Sequence, residues 1–99
     1  SLAEAERWIA AGVPVGMSYA WNPGQLSGAP VRSSDGHLGV LVDFDANGDP
    51  VVNVPAGKGD DIRRTYKRAE LENQWLTHWG GTAYLVYAPA WSTPWNKAR

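Results

Sequence analysis

Two apolar runs, residues 37–44 and 51–54, are separated only by the turn formers Asp45-Ala46-Asn47-Gly48-Asp49-Pro50. Asn-Gly between strand-like runs is the strongest short-range hairpin signal. Parallel pairing would need a crossover of about a dozen residues or more, and this segment has no room for one. The centre of the chain must therefore be antiparallel sheet, and the rest is read around that hairpin.

Residues 2–11 predict a helix. Ser1 and Glu4 form a capping box, and Leu2, Ala5, Trp8 and Ile9 share one face, with Gly12 at the C-terminal end. Val13, Val15, Met17 and Tyr19 alternate with the small Pro14, Gly16, Ser18 and Ala20, which predicts a strand. Residues 21–35 carry Asn22-Pro23-Gly24, Ser27-Gly28-Ala29-Pro30 and Ser33-Ser34-Asp35, a long turn-rich loop of the kind that carries function or is disordered. Beyond the hairpin, residues 56–61 read as a Gly- and Asp-rich loop and 62–67 as a short strand. A second helix is read over 68–77, with Leu71, Trp75 and Leu76 inward, and a last strand over 82–88. The order α-β-β-β-β-α-β predicts an α+β fold, a mainly antiparallel sheet with two helices. Ninety-nine residues support one core. We expect one domain over 1–88 and a tail over 89–99 whose Trp91 and Trp95 dock on the body.

Charge and composition remove several functions. Nine Lys and Arg against ten Asp and Glu give a net charge of −1, which argues against a nucleic-acid clamp or an anionic-membrane binder. No apolar run approaches the ~20 residues that span a bilayer. With no cysteine, the chain has no disulfide, thiolate metal site or thiol nucleophile of its own. Two histidines make a metal centre a poor expectation, and neither metal nor cofactor is predicted. Asp43-Phe44-Asp45-Ala46-Asn47-Gly48 begins like a calcium loop, but the twelfth position is Val54 instead of the closing Glu. A solvated hairpin turn is the simpler reading.

Four residues stand out as site candidates. His37 follows the long loop and opens a buried-looking strand, a position suited to a general base, although a structural histidine is the plainer assignment. Asn53 interrupts the apolar run 51–54, and an amide there can orient a histidine, although strand alternation alone would place it on the solvent face. Trp21 leads into the loop and Gly36 precedes His37, so both are candidates for the wall of a substrate groove. His78 and the Asp60-Asp61 and Arg63-Arg64 pairs read as solvated groups, and Trp8 and Trp75 as core.

Several segments together resemble the bacterial C39-like cysteine peptidases of the papain-like superfamily. They are Ala10-Ala11-Gly12-Val13-Pro14-Val15, Pro23-Gly24 with Leu26 and Gly28-Ala29-Pro30, Asp35-Gly36-His37-Leu38, Asp45-Ala46-Asn47-Gly48-Asp49, Val51-Val52-Asn53, Pro55-Ala56, and Arg64, Tyr66 and Arg68. The resemblance runs from about Leu2 to Tyr87. It implies the sheet lobe of a papain-like fold, with His37 as the catalytic base. The cysteine would come from an N-terminal lobe or a second chain, the substrate would be a peptide, and the setting would be secreted or cell-envelope. The family's usual orienting acid falls where this chain has Val54, which leaves Asn53 as orienter through a bulge or one-residue shift. The chain opens at Ser1 and is expected to be part of a larger polypeptide. The alternative is a non-catalytic module that binds peptide or glycan. An N-terminal Ser1 nucleophile is a third idea, which its capping role makes unnecessary. An isolated lobe would also expose an apolar face, so a homodimer or a bound second chain is expected.

Overall fold

The computed structural model describes residues 1–54 and 62–85. Seven elements follow in order: α1 (Leu2–Ala10), β1 (Val15–Trp21), β2 (Ser34–Phe44), β3 (Pro50–Asn53), β4 (Arg63–Thr65), α2 (Arg68–Trp79) and β5 (Ala83–Leu85). The five strands form one open antiparallel sheet in the order β4-β3-β2-β1-β5. This is the expected α+β arrangement. The 56–61 loop, the part of the last strand beyond Leu85 and the Trp91- and Trp95-bearing tail lie outside the described residues.

Alternation in β1 decides which face of the sheet is covered. Val15, Met17, Tyr19 and Trp21 are all buried and join Leu2 and Ala5 of α1 and Leu71 and Trp75 of α2 in one core. Both helices therefore lie on that inner face. Each large apolar side chain fully enclosed there contributes about 1.5–3 kcal/mol relative to exposure. Leu76, expected inward, is 41% exposed, and Gln74 is buried in its place. Its amide nitrogen donates to the Gln25 carbonyl, so a polar residue takes the inward position because it ties down the loop.

Helix ends are closed partly from afar. Ser1 caps α1 by accepting from the Glu4 backbone N–H. The Leu2 N–H, however, donates to Glu72 of α2 at 2.7 Å. Lys67 offers α2 no side-chain cap, and the Arg68 N–H donates instead to Asp49 in the β2–β3 turn. Within that turn, Asp45 accepts from the Asn47 and Asp49 backbone N–H groups at 2.9 Å. Only Gly48, among its residues, has a positive φ. Asn47 is thus not in the left-handed region that a two-residue Asn-Gly turn requires. The carboxylate that resembled a calcium ligand serves the turn itself.

The long loop between β1 and β2 is anchored rather than loose. Leu26 plugs into the core at 5% exposure. Glu70 accepts from the Ser27 N–H, Arg64 donates to the Gly28 carbonyl, and the Trp21 indole donates to the Val31 carbonyl. One loop is therefore fixed to β1, β4 and α2.

Candidate functional site

His37 lies directly opposite Tyr19 in the β1–β2 pair. Before it, Tyr19 pairs with His37 and Trp21 with Ser34, so β2 carries one extra residue at Asp35-Gly36. Such a bulge bends the strand and re-aims its neighbours. Gly36 sits in it, exposed, with its N–H donated to the Ser34 hydroxyl and its carbonyl accepting from that same hydroxyl.

Register places the His37 ring on the inner face. Its centroid is 5.3 Å from that of Tyr19 and 5.3 Å from that of Trp21, inclined at 65° and 75°. Tyr19 and Trp21 stack on each other at 5.6 Å and 25°. The imidazole is therefore steeply inclined to, and equidistant from, two rings that are stacked on each other. Its Nε2 is enclosed and has no hydrogen-bond partner, whereas Nδ1 is not enclosed in this way. Burial disfavours the imidazolium and holds the His37 pKa below its ordinary value.

Gly39 explains how Tyr19 reaches this position. A Cβ at residue 39 would stand 2.8 Å from the Tyr19 hydroxyl and 2.7 Å from Val52 Cγ1. Tyr19 therefore lies flat across β2 through space that any side chain would take. Tyr66 meets it edge-on, with centroids 6.3 Å apart. The two phenols are buried and lie close enough to affect each other's ionisation, without making a well-directed hydrogen bond. Burial raises the pKa of both, and the Arg64 charge opposes the rise.

Two sequence expectations need correction. Asn53 pairs with Val40 and Arg63, and Val40 alternates with His37, Gly39 and Leu41. Asn53 thus lies on the sheet face opposite His37. The β2–β3 irregularity falls between Leu41 and Asp43, on the turn side of Asn53, and leaves its side unchanged. Val54, next along the chain and fully buried, belongs to the core instead. Trp21, expected as a groove wall, is 2% exposed. It packs beside His37, and its indole N–H is held by the Val31 carbonyl.

Tyr19 and Gly39 were not singled out as site residues. Their signals are present in the sequence: Tyr19 ends the inward alternation of β1, and a glycine inside an apolar strand marks close approach.

On the other face of the sheet, Pro14, Gly16, Leu38, Val40 and Tyr84 line a shallow groove of about 260 Å³. Leu38 and Tyr84 are half exposed there. Among the described residues, no three Asp, Glu or His side chains gather as metal ligands do, and no helix is long and apolar enough to cross a membrane. The chain matches no known protein family, and no curated protein or solved structure is significantly similar to it.

Chemically, the site offers an imidazole kept neutral by burial, rigidly mounted, with one nitrogen shielded and the other not. That is equipment for accepting a proton. The nearby Ser34 hydroxyl is committed to Gly36, and the chain has no cysteine.

Proposed function

We propose that this chain is the sheet-bearing half of a papain-like cysteine peptidase, in which His37 is the general base. It would take the thiol proton of a cysteine carried by another lobe or chain, then protonate the leaving amine. The observation that carries the reading is the His37 ring, held neutral on a rigid strand with Nε2 enclosed and Nδ1 not. The apolar groove of Leu38, Val40 and Tyr84 supports a further, protein-covered surface.

The test uses the natural polypeptide that contains this chain, assayed on a fluorogenic peptide library. Hydrolysis should be blocked by iodoacetamide and fall by about 10²–10⁴-fold in His37→Ala, with the circular dichroism unchanged. Turnover at the wild-type rate in His37→Ala, or turnover indifferent to thiol alkylation, overturns the assignment.

One observation favours a second reading, a peptidase-like fold kept for binding peptide or glycan. Asn53 faces away from His37 and Val54 is buried apolar, so neither supplies the usual hydrogen-bonding orienter. Absence of any hydrolysis, together with saturable retention of a peptide or glycan from an array, would select this reading over the first.

A further inference from the structure

Both helices pack on the inner face of the sheet, so among the described residues no helix covers the outer one. Across that outer face Tyr84 of β5, Gly16 of β1 and Val40 of β2 pair in one row, with Pro14 and Leu38 beside it. These five residues line the groove of about 260 Å³. Gly16 keeps it open: a Cβ there would stand 3.3 Å from Tyr84 Cβ, so a side chain at residue 16 would crowd the space. The same row continues into Asn53 of β3 and Arg63 of β4. Polar groups thus bound the apolar ground, which is confined to the β5 side of the face. Leu38 and Tyr84 remain half exposed on it.

We propose that this groove is the seat of the chain's own residues 86–99, which dock the indole of Trp91 or Trp95 in it. Three observations select that occupant. The first is place. Tyr84 is a wall of the groove, and the next residue, Leu85, lies opposite Val15, one position from Pro14. Residues 86–99 therefore leave the sheet at the rim of the groove. The second is reach. Strands lie about 4.8 Å apart, so Leu38 and Val40 on β2 are about 10 Å from β5. The six residues from Leu85 to Trp91 can extend about 20 Å. The third is chemistry. None of the five lining side chains carries a charge, so the groove calls for an apolar occupant. Residues 89–95 read Pro-Ala-Trp-Ser-Thr-Pro-Trp. The prolines remove backbone donors and disfavour helix, and extended Pro-rich segments dock in aromatic-lined grooves. Each indole brings a large apolar area to bury. A second cleft, on the inner face between Trp8, Trp75 and Leu85, is half as large at about 130 Å³ and carries the Glu4 carboxylate.

This inference is independent of the reading of His37, whose ring lies on the opposite face, so the two can fail separately. The experiment is ¹⁹F NMR on the 99-residue chain labelled with 5-fluorotryptophan, its six resonances assigned by single Trp→Phe variants. A soluble nitroxide reports which indoles are open to solvent, and the labelled peptide 86–99 is the reference. Trp91 or Trp95 should be broadened less in the chain than in the peptide, equally at all dilutions. That protection should be lost in Leu38→Lys and in Tyr84→Ser, with the resonances of Trp8, Trp21 and Trp75 still at their folded positions. The wild-type chain should also show a nuclear Overhauser contact between the protected indole and the Leu38 methyl groups. Broadening of both indoles equal to that in the peptide, or no contact with Leu38, overturns the proposal even if the variants fail to fold. Protection that survives in folded Leu38→Lys and Tyr84→Ser overturns it in favour of another seat, such as the inner cleft. Protection that vanishes on dilution, along with a dimer in sedimentation, overturns it in favour of a second copy.

Discussion

Adding one methyl group at Gly39 tests the packing on which the histidine site depends. The Cβ of Gly39→Ala would stand 2.7 Å from Val52 Cγ1, 2.8 Å from the Tyr19 hydroxyl and 3.1 Å from Tyr19 Cε1. Both neighbours are fully buried, so neither can swing into solvent. Overpacking a well-packed interior costs about 1–3 kcal/mol, and two contacts this short put the substitution near the upper end. Alanine restricts the unfolded chain more than glycine does, which returns about 0.5–1 kcal/mol. The net expected loss is about 2 kcal/mol. For a domain of this size that is a fall in Tm of about 8–16 °C. Urea unfolding followed by tryptophan fluorescence is the direct assay, because Trp21 stacks on the ring that must move. Tyr19→Phe removes one of the two shortest contacts, so Gly39→Ala should cost about 0.5–1 kcal/mol less in that background. A Gly39→Ala protein within about 0.5 kcal/mol of wild type, or an equal cost in both backgrounds, would refute the fit described between Tyr19 and β2.

Other consequences are as direct. Because burial lowers the His37 pKa, the unfolded chain binds its proton first on acidification. Stability should thus fall as pH drops below about 6.5, level off below the folded-state pKa, and lose this component in His37→Gln, as read from urea midpoints across pH. Tyr19 and Tyr66 have raised pKa values, so their contribution is intact below about pH 10 and should be lost as the unfolded phenols ionise above it. Arg68 joins Glu6 of α1, the Gly48 carbonyl and the face of Phe44. Arg68→Ala should cost about 1–2 kcal/mol in chemical denaturation, and an unchanged midpoint would show those contacts to be ornamental. Val54 is wholly enclosed, so Val54→Asp should destabilise by several kcal/mol at neutral pH, and less at pH 4, where the new carboxyl can be neutral.

The parts of this fold that are legible in sequence are those governed by local rules. The Ser1–Glu4 box, the inward alternation Val13-Val15-Met17-Tyr19 and the hairpin at Asn47-Gly48 each depend on neighbours a few residues away, and each is present. The failures depend on distant partners. Gln74 faces inward because Gln25 needs a donor, and Trp21 is covered because its indole finds Val31. α2 begins where it does with help from Asp49, nineteen positions earlier. At the candidate site, His37 is visible from its place at the mouth of a strand. Asn53 takes the outer face, as plain alternation with the buried Val52 and Val54 gives. What the residue types do not show is that the β2–β3 irregularity falls between Leu41 and Asp43, where it brings no shift of Asn53 toward His37.

The strand order has a further consequence, for the path by which the chain folds. Four of the five strands, β4-β3-β2-β1, are neighbours both in the sheet and in the sequence, so they can zip up by successive short closures. The fifth joint pairs Val15 with Leu85 across most of the chain. Its closure entropy is the largest in the sheet. The β5–β1 joint should therefore form late, after α2 has settled on β1 and brought the following strand within reach. Substitutions in β5 should then speed unfolding while leaving the folding rate nearly unchanged, so this edge would be where the sheet first comes apart.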